Sequence, residues 1–299
     1  MSRTASSPEF KRNLGFWSLD EQRAIMAGRV AIGGVGGDGY QLGLKLARMG
    51  VPAFNIADPE VFELENSNRV PGAKQGTYGR LKAEVFAEEV HEINPEVEVK
   101  IFTDGVTQDN ADEFVHNADL VYDETELTYL HVGTALARAA RAHNIPDVMV
   151  MNIGFAAQVT SFNPSSRYTF EKFMGIPKNM PLDEVKDLTV DLARCVPYLP
   201  KYGDIETLLA VQNGASLPSI AQGVDAASAI GASQGFLHLV KGVNNKRPEP
   251  IWAPRVAFVD SYNFKSGVSR HNRLSHYRRL AYMSVRSYLN QNPKADYGS

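Results

Sequence analysis

The sequence predicts an α/β fold in which a doubly wound, mostly parallel sheet carries helices on both faces. Three observations predict it. Short apolar runs alternate with helical patterns from Arg29 to Ile153, the arrangement that produces parallel strands linked by crossover helices. A glycine-rich loop joins the first apolar run to the first helix. Two runs end in an acid, Asp58 and Asp123. Ligands of such sheets bind beyond the carboxyl ends of the strands, and the loop and both acids are predicted at that edge.

The elements follow in order. Arg29 to Ile32 is a strand, and after the loop Leu42, Leu44, Leu46, Ala47 and Met49 mark a helix closed by Gly50. Ala53 to Asp58 is a buried strand, and the polar stretch Pro59 to Arg80 is a long loop with short turns. Leu81 to Ile93 is a helix stopped by Asn94-Pro95. Val97 to Phe102 alternates as a strand, Asn110 to His116 is helical, and Leu120 to Asp123 is a strand. Thr128 to Ala142 is an Ala-rich helix and Val148 to Ile153 a further strand. Pro164 to Lys201 holds five prolines and many charges, and it reads as an inserted lobe or crossover loop. Pro218 to Val240 is helical, with Gly223, Gly231 and Gly235 allowing close packing, and Val256 to Val259 is a short strand. Ser261 to Ala295 lacks any acid and reads as a basic amphipathic helix. The chain is taken as one domain over 1–299. It comprises an N-terminal arm (1–28), a core (29–163), a crossover region (164–216) and C-terminal helices with a strand (217–299).

Composition narrows the class. At 299 residues, with 43% hydrophobic and 22% charged residues, the chain has the makings of a buried core rather than of disorder. The net charge of −3 argues against a nucleic acid or an anionic membrane as general partner. One cysteine leaves no internal disulfide and no paired-cysteine zinc site. Met1 to Arg12 has no apolar signal core, and no apolar run is long enough to span a membrane. The expected location is the cytoplasm.

The loop carries the chemistry. Gly34, Gly36, Gly37 and Gly39 let the backbone turn tightly and approach a phosphate, while the following helix offers free amides and the positive end of its dipole. Asp58, about twenty residues further on, is placed to accept hydrogen bonds from ribose hydroxyls. A nicotinamide or flavin dehydrogenase would share both features. It would not need the next stretch, where Glu60, Asn66, Arg69 and Lys82 follow. That stretch sets an amide, a guanidinium and an ammonium beside the cradled phosphate, as triphosphate chemistry requires. Asp123 is placed to supply a carboxylate to Mg²⁺.

From Arg12 to Gly242 the sequence resembles the ThiF/MoeB/E1 superfamily, Rossmann-like enzymes that adenylate the C-terminal carboxylate of a ubiquitin-like protein or a peptide. The resemblance rests on Arg12-Asn13-Leu14-Gly15, Gln22, the glycine loop, Asp58-Pro59-Glu60, Asn66-x-x-Arg69, Gly79-x-x-Lys82, Ile93-Asn94-Pro95, Asp119 to Asp123, and the segment from Leu217 to Gly242. It implies ATP and Mg²⁺ as cofactors, without zinc. Asp58 would hold the ribose, Asn66, Arg69 and Lys82 the phosphates, and Asp123 the Mg²⁺. Arg12 is similar to an arginine that reaches ATP in a partner subunit, which implies a homodimer. Tyr40 stands where the family has a small residue, and Glu124-Thr125-Glu126 where it has an Asp-Asn pair. The paired Cys-x-x-Cys zinc ligands of many relatives are absent. Alternatives within and beyond the family are a tRNA-modifying dehydratase, an NAD(P)-dependent oxidoreductase and a non-catalytic partner subunit. Cys195 is a candidate acyl acceptor of the kind many relatives use, although a free cysteine is more often simply packed. His131, His238 and His276 show no metal-ligand spacing.

Overall fold

A computed structural model describes residues 3–291. Eight strands form one sheet in the order β3-β2-β1-β4-β5-β6-β7-β8, counted among the described residues. These are β1 (Arg29–Gly33), β2 (Ala53–Ala57), β3 (Glu98–Phe102), β4 (Leu120–Asp123), β5 (Asp147–Ile153), β6 (Ala156–Phe162), β7 (Arg255–Asp260) and β8 (Lys265–Arg270). The first five run parallel, and the last three continue the sheet antiparallel. The chain order reverses between β1 and β4, so a crevice opens at their carboxyl ends.

Successive residues of β1 serve opposite faces, as the pleat dictates. Val30 and Ile32 enter the core under α2 (Gly37–Met49), α3 (Lys82–Ile93) and α10 (Ala221–Leu239). Ala31 instead joins Phe114, Val121 and Leu136 in the core under α4 (Ala111–Val115) and α5 (Leu130–Ala142). Gly50 adopts φ 106° and closes α2 with a left-handed cap, as its place in the sequence predicts.

The crossover region is not a projecting lobe. It forms α6 (Phe170–Met174), α7 (Leu182–Lys186), α8 (Leu192–Cys195) and α9 (Ile205–Gln212), which bury Phe173, Val185, Leu192 and Leu208 in a second core with Met149 and Met151 of β5. The basic C-terminal segment is not all helix. Its first part pairs as β8, and α11 begins only at Arg273, running to Gln291; residues 292–295 of that predicted helix lie outside the described residues.

The glycines of α10 face inward rather than outward. Gly231 packs against Val150, and Gly235 approaches the Tyr122 hydroxyl so closely that a Cβ would lie 2.1 Å from its oxygen. Tyr122 Oη donates to the Gly231 carbonyl at 2.9 Å. The N-terminal arm includes α1 (Leu19–Ile25), opened by a Ser18–Glu21 capping box. Gln22, buried, donates to the Met49 carbonyl at 2.8 Å and accepts from Trp17 Nε1 at 2.9 Å. The arm is thereby fastened to the far end of α2.

Candidate functional site

The glycine loop lies at the crevice. Gly34 adopts φ 103° and donates to the Ala57 carbonyl at 2.7 Å; a Cβ there would fall 2.3 Å from the Glu124 carbonyl oxygen. Gly36 precedes the first residue of α2, and nothing lies within 4 Å of where its Cβ would point. The loop is therefore closed towards the sheet and open towards a ligand, at a helix N-terminus suited to phosphate.

Asp58 is buried at the end of β2. Its Oδ2 accepts from Val35 N at 2.8 Å and its Oδ1 from Glu60 N at 2.9 Å, so the acid clamps the loop to the strand. Burial raises its carboxyl above the usual range, and the charge of Lys82 partly offsets this. Lys82, 4% exposed at the start of α3, pairs through Nζ with Glu60. Asn66 is buried and its Oδ1 accepts from Glu63 N at 3.0 Å, which shapes the turn that delivers Arg69. Arg69 is steered by Asn68 Oδ1 at 2.8 Å and the Glu65 carbonyl at 3.2 Å. Its Cδ would lie 3.8 Å from a Cβ on Gly37. Gly34, Gly36, Gly37, Gly39, Asp58, Arg69 and Lys82 are thus brought together.

Asp123 departs from the sequence expectation. It is buried on the α5 side of β4, with Oδ2 2.8 Å from where a Cβ on Gly133 would sit. Its Oδ1 accepts from Thr125 Oγ1 at 2.6 Å and Thr125 N at 3.2 Å, and burial raises its carboxyl. The carboxylate acted on by Arg69 and Lys82 belongs to Glu126, where the two positive charges oppose the upward effect of desolvation. Glu124 points to the other face, near the loop. Its Oε1 is buried without a hydrogen-bond partner, and burial together with Asp38 and Asp123 pushes its carboxyl well up.

Two further predicted residues are not brought to the site. Arg12 is exposed in the arm, which is fastened to the far end of α2, and that helix of 13 residues is roughly 20 Å long. Within one chain it does not approach the loop. Cys195 is 1% exposed in the second core, and burial pushes its thiol up to about 12. The thiol neither faces the crevice nor ionises near neutrality, so its placement is that of a packed cysteine rather than a nucleophile.

Asp38, in the first turn of α2, is not among the residues that the spacing singles out. Its carboxylate accepts from Asn152 N at 3.0 Å and Asn152 Nδ2 at 2.9 Å, and burial raises it to about 7. Ser219 Oγ donates to Asn152 Oδ1 at 3.0 Å, while Asn68 Nδ2 donates to the Ser219 carbonyl at 3.0 Å. An acid inside an anion-cradling loop was the available signal for this network.

The open glycine loop at a topological switch point, with Asp58 clamping it to β2, defines a Rossmann-like α/β protein. The ThiF family matches residues 10–278, and the chain belongs to that family, whose adenylyltransferases use ATP. The tRNA threonylcarbamoyladenosine dehydratase of Escherichia coli is 31% identical over 125 residues, 42% of this chain and 46% of that protein. SUMO-activating enzyme subunit 1 of Mus musculus is 32% identical over 102 residues, 33% of this chain and 28% of that protein. These matches span less than half the length of either relative. The crystal structure of E. coli MccB with ATP shares the fold, with a TM-score of 0.65 at 16% identity over 91% of this chain and 74% of that one. PaaA does likewise, with a TM-score of 0.64 at 15% identity over 91% of this chain and 77% of that one. Among the described residues, no helix is long and apolar enough to cross a membrane.

Proposed function

We propose that this protein binds ATP at the glycine loop and adenylates a carboxylate on a peptide or a ubiquitin-like protein. The observation that carries the reading is that Arg69 lies beside Gly37 of the loop while Arg69 and Lys82 both act on Glu126. A substrate carboxylate oxygen attacks the α-phosphorus in line. A new P–O bond to the acyl group forms as the bond to the β-phosphate oxygen breaks, and pyrophosphate leaves with the electron pair. Arg69 and Lys82 stabilise the charge that develops on the phosphates, and the loop amides hold them in place.

Mg²⁺ fits this site as a companion of the nucleotide. Among the described residues, no group of three or more acids, histidines or cysteines is arranged to hold a metal unaided, and Mg²⁺ is commonly bound by one or two carboxylates plus substrate phosphates. Glu126 is the carboxylate beside the cations, and the unpartnered Oε1 of Glu124 lacks the cation that would satisfy it. When bound, the ion supplies neutralisation of phosphate charge. Arg12 joins the site from a second copy of the chain in a homodimer, since its own loop lies at the opposite end of α2.

A second reading keeps the activation step but places the carboxylate on RNA. It is favoured by a cavity of about 800 Å³ between α5 and α6, lined by Arg138, Arg141, Arg167, Lys172, Lys178 and Arg194 with Glu171 as its sole acid. One experiment addresses both readings. ATP·Mg²⁺ should raise the melting temperature more than NAD does, because a ligand of the native state stabilises it by mass action. ATP–pyrophosphate exchange should then appear with carboxylate-terminated peptides and not with bulk tRNA. An equal or larger shift with NAD would replace adenylation by a dehydrogenase reading, and exchange with tRNA alone would favour the RNA substrate.

A further inference from the structure

Beyond the carboxyl end of β5 lies a pocket of about 270 Å³ that the phosphate chemistry leaves unused. Ile153, Pro200, Tyr202, Leu208, Pro218 and Ile220 form its walls. Two polar side chains at its rim are engaged in local hydrogen bonds. Tyr202 Oη accepts from Phe155 N at 2.9 Å. Asp204 Oδ2 caps α9, accepting from Thr207 N at 2.9 Å and Thr207 Oγ1 at 2.6 Å. Most of the surface it offers a guest is hydrocarbon. A cavity of about 150 Å³ with apolar walls is enough to hold a benzene ring, so this one has room for a branched aliphatic or aromatic side chain.

Its position connects it to the reacting atoms. Pro218 and Ile220 flank Ser219, whose hydroxyl holds Asn152, the partner of Asp38 in the loop helix, and whose carbonyl holds Asn68, the neighbour of Arg69. One helical turn after Ile220, Val224 packs on Gly37, with its Cγ2 2.9 Å from where a Cβ would lie. One turn of helix rises about 5.4 Å, so the pocket wall at Ile220 lies one turn from the residue that packs on the glycine loop. The pocket therefore lies beside the segment that packs on the glycine loop.

Resting on the adenylation reading, we infer that the substrate is a polypeptide whose C-terminal residue carries a large apolar side chain, seated between Ile220, Leu208 and Tyr202. A terminal glycine leaves this surface wetted and contributes nothing to binding. A terminal acid or amide is desolvated against walls whose polar atoms are already paired. The pocket is thus a specificity element for the residue being activated, separate from the groups that hold ATP.

The test uses ATP–pyrophosphate exchange with pentapeptide pools, randomised at four positions and fixed at the C-terminal residue. Pools ending in Leu, Ile, Met or Phe should exchange at least about tenfold faster than pools ending in Gly, Asp or Asn, the scale on which apolar pockets discriminate. Ile220→Lys should abolish that preference and favour pools ending in Asp or Glu, a reversal that mere loss of packing does not produce. Ile220→Val should keep the wild-type order. Equal rates for all pools, or a preference for Gly, would overturn the inference and leave adenylation standing. No exchange in any pool while ATP still raises the melting temperature would likewise overturn it. If ATP produces no shift, the adenylation reading fails first and takes the inference with it.

Discussion

Two acid-bearing turns meet at the crevice and differ in how their charges are met. After β2, Asp58 spends both oxygens on backbone amides, and Glu60 pairs with the buried Lys82. After β4, Asp123 and Glu124 point to opposite faces of the sheet with no cation paired to either, and only Glu126 lies within the influence of Arg69 and Lys82. The first turn is a finished piece of structure. The second leaves Glu124 Oε1 buried without a hydrogen-bond partner, and burial raises the carboxyls of Asp123 and Glu124. Asp123 and Glu124 are consecutive, and their side chains emerge on opposite faces as the pleat dictates, while Asp123 and Glu126 line one pocket.

The largest effect that sharpens this comparison concerns Arg12. If a second copy completes the cation set, Arg12→Ala should lower pyrophosphate exchange by about 10³-fold, the lower range for an arginine supplied to a phosphoryl centre. Mixing Arg12→Ala with Glu126→Gln subunits should recover activity, because half of the sites in a mixed dimer then carry both residues. Absence of recovery despite measured subunit exchange rules out the shared site. Next comes the contrast within the β4 turn. Glu126→Gln should cost about 10² in exchange rate, while Asp123→Asn should leave it within about threefold, since groups that do not meet transition-state charge leave the rate unchanged. The reverse order would break the comparison outright. The smallest effect belongs to Cys195. Cys195→Ala should cost about 1 kcal/mol in chemical denaturation, as a modest core truncation does, and leave exchange unaltered. A thioester trapped on Cys195 during turnover would show that the second core opens to substrate.

The sequence was most legible where one local rule decides the outcome. The loop, the strands β1 to β4 and the caps Gly50 and Asn94 stand as their residues predict, because strand, turn and helix there each carry their own signal. Other elements were hidden for identifiable reasons. β6 is buried along its whole length, so Ala156–Phe162 lacks the alternation that marks a strand. β8 is a mostly polar edge strand that merges into a basic tail. The helix α1 spans seven residues, too few for a periodic stripe, although Ser18 and Glu21 announced its start. At the site, Asp58, Arg69 and Lys82 were found by spacing. Glu126, the carboxyl of this turn on which Arg69 and Lys82 act, has no spacing signal of its own.

The hydrogen-bonded chain from Asp38 through Asn152 and Ser219 to Asn68 also has a consequence for local unfolding. It joins the loop helix, the last turn of β5, the approach to α10 and the Arg69 turn. Segments linked in this way open as one cooperative unit rather than one at a time. The Gly34 and Val35 amides, which bond the Ala57 carbonyl and Asp58 Oδ2, should therefore exchange with solvent on the timescale of the sheet rather than on that of a surface loop.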